Sequence, residues 1–497
     1  MGEGGSSGDI EALEVYDPKE VLLTKDLFQM SRDEQKSEIW KVANSAISVG
    51  IGILLSILFL SVNLHFAGLL QNDAILGGIG LGNIMINCTG YFLLVGLNQG
   101  FGSLSARAFS AKSSILMKNY FTKGAFTVLC VSIFMLVFMF NVYDILVALG
   151  QEEQVSYYAS QYSLGIMFGL ICLFFFDFLR NYFNSMGIYN EPMYIQIVSI
   201  VTQYLFCFVF SEYLGYGFSG IIFATNINYF FLLLMAIWLA KKKNLDIMPE
   251  CKMDTVKVNY KKYIHFCMPI ALPMVVDIFC FELNSLLIGS MQIKAQFNAH
   301  IIMCNLASLF YSFPLGLCGA LCTLISNAVG HNDHVKAKNY FKISYIVGIG
   351  FACVSTFLFV FYKRELGLFY TSDEEIVQQF VSIMTIFQFF IGLDYLQGSQ
   401  QGILKGVGLG KVCLMLFIIC FYVIGTTSSC ILGFVFDLQL IGFWIGFVLA
   451  IVTVFASQTY VMLKINWQEQ IHEQHEHLLQ DKKLLDELQT ELIKSEH

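Results

Sequence analysis

Twelve apolar runs constrain this chain more than any other feature, at 42–69, 75–97, 124–149, 157–179, 192–211, 217–240, 263–290, 297–325, 340–362, 376–398, 411–433 and 439–463. Each is long enough to cross the ~30 Å of hydrocarbon in a bilayer, which takes about 20 helical residues. Hydrocarbon offers the backbone no hydrogen-bond partners, so runs of this length must satisfy their own peptide groups as helices. Apolar residues make up 56% of the chain and charged residues 13%, leaving too little polar material for a water-soluble surface. The expected fold class is therefore an all-α polytopic membrane protein.

The basic residues give an independent check on the count, because positive charge gathers in cytoplasmic loops. With the N-terminus inside, alternation of twelve spans puts 26 of the 29 Lys and Arg on the cytoplasmic side, Arg107, Lys118, Lys123, Arg180 and Lys405 among them, and leaves only Lys294, Lys363 and Arg364 outside. A miscounted span would reverse the pattern partway along. Both termini are accordingly expected in the cytoplasm. Residues 1–41 are polar and acidic, with no cleavable leader, so the first span is expected to serve as its own targeting signal.

The tetrapeptide KNYF occurs at 118–121 and again at 338–341, an offset of 220 residues. Extended upstream, GLNQGFGSLSARAFSAKSSILMKNYF (96–121) matches GLCGALCTLISNAVGHNDHVKAKNYF (316–341) at 8 of 26 positions without a gap. Typical composition would give about two by chance. The chain thus reads as a duplication: a cytoplasmic tail 1–41, an N-lobe 42–240 of six spans, a basic cytoplasmic linker 241–262, a C-lobe 263–463 of six spans and a cytoplasmic tail 464–497. Six spans per half make the repeats parallel, two lobes around a central cavity. Each KNYF is expected to mark the cytoplasmic connection between the second and third span of its lobe.

The closing tail reads as an amphipathic helix lying on the cytoplasmic surface, with Leu478, Leu485 and Leu492 at heptad spacing and Leu488 between them. Its His472, His475 and His477 read as solvated. The net charge of −8 is gathered mainly in the tails and indicates no nucleic-acid partner. The 14 cysteines lack metal-ligand spacing and lie mostly in apolar runs, so neither a disulfide framework, a zinc site nor a cofactor is expected.

Ionisable residues inside spans are functional candidates, since a carboxylate in hydrocarbon costs at least ~2.5 kcal/mol. The seventh span carries Asp277 and Glu282 with no basic residue in it, and the tenth carries Asp394. Asp277 and Glu282 stand five residues apart, ~140° around a helix, so one face cannot bury both in a single pocket. Asp394 shares a face with Gln397 and Gln401 at i+3 and i+7, a polar stripe ending in the glycine-rich GILKGVGLG. Buried carboxyls of this kind can exchange protons and, when ionised, attract cations. Asp177 in the fourth span lies three residues before Arg180 and reads as its structural ion-pair partner.

Over roughly residues 40–465 the sequence resembles the multidrug and toxic compound extrusion (MATE) transporters of the eukaryotic type. The stretches that carry the resemblance are NCTGY (87–91), ILVALGQEEQVSYYASQY (145–162), RNYFNSMGIYNEP (180–192), YSFPLGL (311–317), SNAVG (326–330), GILKGVG (402–408), FYVIG (421–425) and IGFWIG (441–446), in family order and spacing. The resemblance implies acidic coupling positions in the seventh and tenth spans, and these hold Asp277, Glu282 and Asp394. It also implies Tyr311 and Asn305 as residues of the substrate cavity, with Gln397 and Gln401 beside them and Phe281 placed to stack on a cation. Departures are Arg107 and Ser110 after the second span, Leu324 before SNAVG, and Thr426 after FYVIG. The first span offers Asn44 and Asn63 where many prokaryotic members carry an aspartate, which moves the expected coupling to the second half.

The function implied is a secondary active antiporter that exports small organic cations, xenobiotics or metabolites, in exchange for protons by alternating access. Rival readings are sodium coupling, export of organic carboxylates, and flipping of lipid-linked precursors. A membrane-embedded enzyme has no support, since HExxH, paired intramembrane histidines and nucleotide-binding loops are missing. The expected partners are a small organic substrate, protons or sodium, and the lipid bilayer of a plasma, vacuolar or vesicle membrane, with the chain acting as a monomer.

Overall fold

The computed structural model describes residues 25–245 and 259–495. The expected tail up to residue 24, the linker core 246–258 and residues 496–497 lie outside the described residues. Helices α1 (Arg32–Leu69), α2 (Asp73–Ser110) and α3 (Ser114–Met139) open the first half. A short α4 (Val142–Ala148) leads into α5 (Glu153–Gly165) and α6 (Met167–Ser185), which together make one span bent by 51°. The half closes with α7 (Asn190–Tyr213) and α8 (Gly217–Lys242). The second half contains α9 (Tyr260–Ser290), α10 (Lys294–Gly330), α11 (His334–Tyr370), α12 (Glu374–Gly406), α13 (Gly410–Val435) and α14 (Gln439–Lys464). Among the described residues these give eleven spans, or twelve when the bent pair is one. A final helix, α15 (Trp467–Ser495), follows.

The helices start where local chemistry permits. At the head of α1, Ser31 Oγ accepts from the Glu34 amide at 3.3 Å while Glu34 Oε2 accepts from the Ser31 amide at 2.7 Å, a reciprocal capping box. Side chains of Asn72, Asp333 and Asp373 cap α2, α11 and α12 in the same sense.

The duplication extends to individual hydrogen bonds. The turn between α2 and α3 and the turn between α10 and α11 fall 220 residues apart, with Lys112 at φ 50° in one and Asn332 at φ 53° in the other. Ser113 N donates to Ala108 O at 3.0 Å, and Asp333 N donates to Ala328 O at 2.9 Å. Both are the wide return bond of a helix end closed by a left-handed residue.

Several expectations are corrected. Neither KNYF occupies the connection: both lie inside the first turns of the third helix of their half. The run expected at 124–149 breaks at Asn141, where α3 gives way to α4. Arg107 and Lys405 are not loop residues, since α2 and α12 continue beyond their apolar cores and carry both side chains to 3% and 2% exposure.

The halves meet through equivalent glycines. A methyl group on Gly96 of α2 would stand 2.5 Å from the Ala271 Cα of α9, and one on Gly316 of α10, 220 residues later, 2.5 Å from the Gly50 nitrogen of α1. Backbones can approach so closely only without side chains between them. Nearer the face where both tails lie, hereafter the terminal face, Ser103 and Ser326 hydroxyls bond across the lobes at 2.7 Å. A methyl on Gly330 would meet Ser110 Oγ at 1.9 Å. The lobes are therefore in close contact on the terminal face.

The last helix lies across that closure. Ile471 packs into the C-lobe core, while Leu478 and Leu485 pack into the N-lobe core. His475 is not solvated as expected: it is 3% exposed with Nδ1 3.2 Å from the Val329 carbonyl, whereas His472 and His477 are exposed.

Candidate functional site

A cavity of about 800 Å³ separates the lobes, walled by both. On the C-lobe side α9, broken in its hydrogen-bond ladder by Pro269 and Pro273, presents a broad arc that includes both Asp277 and Glu282. They differ in depth. Asp277 is 6% exposed and accepts a 2.6 Å hydrogen bond from the Tyr311 hydroxyl, while Glu282 stands exposed on the wall farther from the terminal face.

Helix α12 supplies Asp394, Gln401 and Lys405. Residues 7 and 11 positions apart fall within ~20° of one another on a helix, so these three form one line facing the cavity. Beside them, ~40° to ~120° further round the helix, run Gly398, Gly402 and Gly406, every fourth residue. Methyls on the first two would lie 2.9 Å from the Pro314 carbonyl and 2.3 Å from the Cys318 carbonyl of α10. Close packing on one face thereby fixes what the neighbouring face offers. Gln397, expected on the polar stripe, is ~60° off that line; it is buried, and it is not part of the cavity wall.

Asp394 is 4% exposed and its Oδ2 has no hydrogen-bond partner among the described residues. Asp277 and Asp394 stand within electrostatic reach of each other, and Lys405 within reach of Asp277. Lys405 Nζ donates to Gln99 Oε1 of the opposite lobe at 3.0 Å. Of the other expected residues, Tyr311, Asn305, Gln401 and Phe281 all line the cavity. Gln401 Oε1 lies 3.3 Å from the Cys318 thiol. The Phe281 ring stacks on Phe447 at 4.6 Å, so only its remaining edge and face are available.

The N-lobe wall contains groups that sequence reasoning passed over. Asp177 and Arg180 form their ion pair, yet both line the cavity, and Asn98 Nδ2 donates to Asp177 Oδ2 at 2.8 Å. The NCTGY stretch winds as a π-helical turn, and all five of its residues reach the cavity. Such turns re-aim side chains inside a helix and recur at functional sites. Asn63 of α1 is a satisfied amide, bonded to Tyr162, Thr225 and Gln203 at 3.2, 3.1 and 2.7 Å. Lys405 lies past the apolar run of its span, where a loop was expected, yet its place eleven residues after Asp394 puts it on the same helix face.

The MatE family model matches residues 46–209 and again 269–431, once in each half. The chain belongs to the MatE family. Among its relatives, Multidrug and toxin extrusion protein 1 of Danio rerio is 25% identical over 443 residues, 88% of this chain and 74% of that protein. Protein DETOXIFICATION 16 of Arabidopsis thaliana is 23% identical over 449 residues, 88% of this chain and 90% of that protein. The eukaryotic MATE transporter AtDTX14 superposes with a TM-score of 0.81 at 18% identity, over 90% of this chain and 99% of its own. The Vibrio cholerae MATE transporter VcmN in its bent form gives 0.78 at 15% identity, over 89% and 99%. The protein is thus a multi-pass membrane transporter of the MatE family.

Proposed function

We propose that this MatE transporter exports small organic cations from the cytoplasm in exchange for protons. The observation that carries the reading is Asp394, a carboxyl buried in the inter-lobe cavity without a donor for Oδ2, next to Asp277. The cavity wall holds four carboxyls, Asp177, Asp277, Glu282 and Asp394, against two cations, Arg180 and Lys405. Asp177 is already matched to Arg180, so the excess of acid lies on the C-lobe side.

A carboxylate at such depth needs a proton or a cation for company. Competition between the two for Asp394 and Asp277 couples them, provided that each binds the two lobe arrangements differently. In the cycle, a cation taken from the cytoplasm is held by ionised carboxyls. Protons arriving through the opposite face then neutralise those carboxyls and release it. The terminal face is the cytoplasmic one, as the concentration of Lys and Arg on that side supports. The protein works as a monomer in a plasma, vacuolar or vesicle membrane, where export away from the cytoplasm serves the same end. Lys405 favours a second reading, an organic carboxylate as cargo, because it is a buried cation on the same wall.

The test is uptake of a fluorescent organic cation into proteoliposomes under an imposed pH gradient without sodium, comparing wild type with Glu282→Gln and Asp394→Asn. Gradient-driven uptake that is lost in either variant supports the reading. Uptake that requires sodium replaces the coupling ion, uptake of an organic carboxylate instead replaces the cargo, and wild-type rates in both variants remove these carboxyls from the mechanism.

A further inference from the structure

A second cavity of about 340 Å³ lies at the terminal face, beneath α15. Among the described residues its charged lining consists of Arg107 on α2, Lys123 on α3, Lys262 on α9 and Lys411 on α13, against Asp481 of α15. That is four cations to one carboxylate, with His265 and His477 also in the lining. The imbalance is greatest at depth. Lys123 is 3% exposed and makes neither a hydrogen bond nor an ion pair among the described residues, although Asp481 is within electrostatic reach. Asp481 is itself occupied, by Lys262 Nζ at 2.7 Å and by the Tyr120 hydroxyl.

Arg107, also 3% exposed, gives its two terminal nitrogens to neutral acceptors, Gln474 Oε1 at 2.9 Å and Gly406 O at 2.8 Å. Its Nε has no hydrogen-bond partner among the described residues. Two buried cations that share a single carboxylate, itself already held by Lys262, are expensive to maintain unless something anionic joins them. The chain has built the pocket around them: Gly408, at φ +87°, passes so close to α15 that a methyl there would lie 2.4 Å from Gln474 Oε1. Basic pockets between helices on the tail-bearing side of a bundle suit phosphorylated headgroups, and Arg with Lys is the donor set that phosphate oxygens prefer.

We propose that this cavity binds a phosphate-bearing anion, either the headgroup of an anionic phospholipid or a free phosphate compound, and that the bound anion ties the two lobes together on the terminal face. Its wall draws on α2 and α3 from one lobe, α9 and α13 from the other, and α15 across both. The site is complete only while the lobes are closed there. A ligand that binds one arrangement alone stabilises it by mass action, so the anion acts as a brake on opening toward the terminal face. The inference does not depend on which cargo or ion the central cavity takes.

Thermal unfolding of the purified full-length protein tests it, in detergent with inorganic pyrophosphate against chloride at equal ionic strength, and in phosphatidylcholine nanodiscs with and without phosphatidylinositol phosphate. A rise in Tm with pyrophosphate identifies a free anion as a sufficient ligand; a rise only with phosphatidylinositol phosphate identifies the headgroup. In Lys123→Gln the affinity for whichever probe acts should fall about tenfold or more, the weight of a charge-assisted bond. Should that variant fail to fold, Lys411→Gln, at the exposed rim, makes the same comparison. No rise with either probe, a rise equalled by chloride, or an undiminished rise in the variant that folds overturns the proposal.

Discussion

Asp177 and Asp394 occupy the fourth span of their respective lobes, and their surroundings assign them opposite roles. Asp177 is bonded by Arg180, Asn98 and Asn181, whereas Asp394 Oδ2 has no donor among the described residues. Replacing Asp177 by Asn strands a buried guanidinium, so Asp177→Asn should destabilise the protein by about 3 kcal/mol, read as a lower Tm in detergent. Asp394→Asn should leave Tm unchanged or raise it, while proton-driven uptake disappears; a large loss of Tm would mark Asp394 as structural instead. Tyr311→Phe removes the one hydrogen bond seen at the Asp277 carboxylate and should reduce coupled uptake about tenfold, since bonds to charged groups are worth ~1.5–3 kcal/mol. The acidic members of the site were legible in the sequence because a carboxyl inside an apolar run has to be explained. Lys405 and Arg107 were not, because both lie just past an apolar run where a loop was expected, and only the continuation of α12 and α2 buries them.

At the scale of elements, twelve spans could be counted from apolar length because hydrocarbon leaves the backbone no alternative to helix. Their ends could not, since caps and polar turns extend helices into water without any apolar signal. KNYF shows the consequence: each copy lies on a helix and serves to hold a tail. Asn339 of the second copy accepts from Leu27 N at 2.9 Å and donates to Lys25 O at 2.9 Å, fastening the N-terminal segment to the C-lobe. Tyr120 of the first copy bonds Asp481, fastening α15 to the N-lobe. The N-terminal fastening should respond to acid. Lys342 Nζ, 2.8 Å from both Asp26 oxygens, and then the Phe28 amide hold the Asp26 carboxyl below its ordinary range. A depressed value means that the ionised form favours docking, so the contribution is whole at neutral pH and fades as pH falls through the carboxylate range. Amide hydrogen exchange of residues 26–30 should therefore accelerate in acid relative to the intrinsic rate, and Lys342→Met should weaken that pH dependence. On α12, Gly402→Ala puts a methyl 2.3 Å from a backbone carbonyl that cannot yield cheaply. It should lower stability by ~1–3 kcal/mol as an overpacked contact.

For the molecule as a whole, alternating access requires that the contacts closing the terminal face break once per cycle. Those along α2 and α10 are Gly330 against Ser110, and Ser103 bonded to Ser326 at 2.7 Å. The pairing of the lobes through repeat-related helices was foreshadowed by the 220-residue offset, but no sequence signal told which face would be closed, because a duplication specifies symmetry and leaves the balance between two lobe arrangements to small differences in packing. A covalent tie decides whether the closure is a working part. Hydroxyls at hydrogen-bond distance leave the two Cβ atoms close enough for a disulfide after a small adjustment, so Ser103→Cys with Ser326→Cys should cross-link under mild oxidation. Cys322, one turn away and in contact with Ser103, offers a second partner on the same helix, so either bond joins the lobes. The oxidised variant should bind its cargo through the opposite face yet carry out no net transport, and reductant should restore the rate, with Ser326→Cys alone as the control for oxidation elsewhere. Transport at the wild-type rate by the cross-linked protein would mean that α2 and α10 stay together throughout the cycle, and that access to the terminal face must come from helices bending within a lobe, for which the broken span at Gly165 and Met167 is the first place to look.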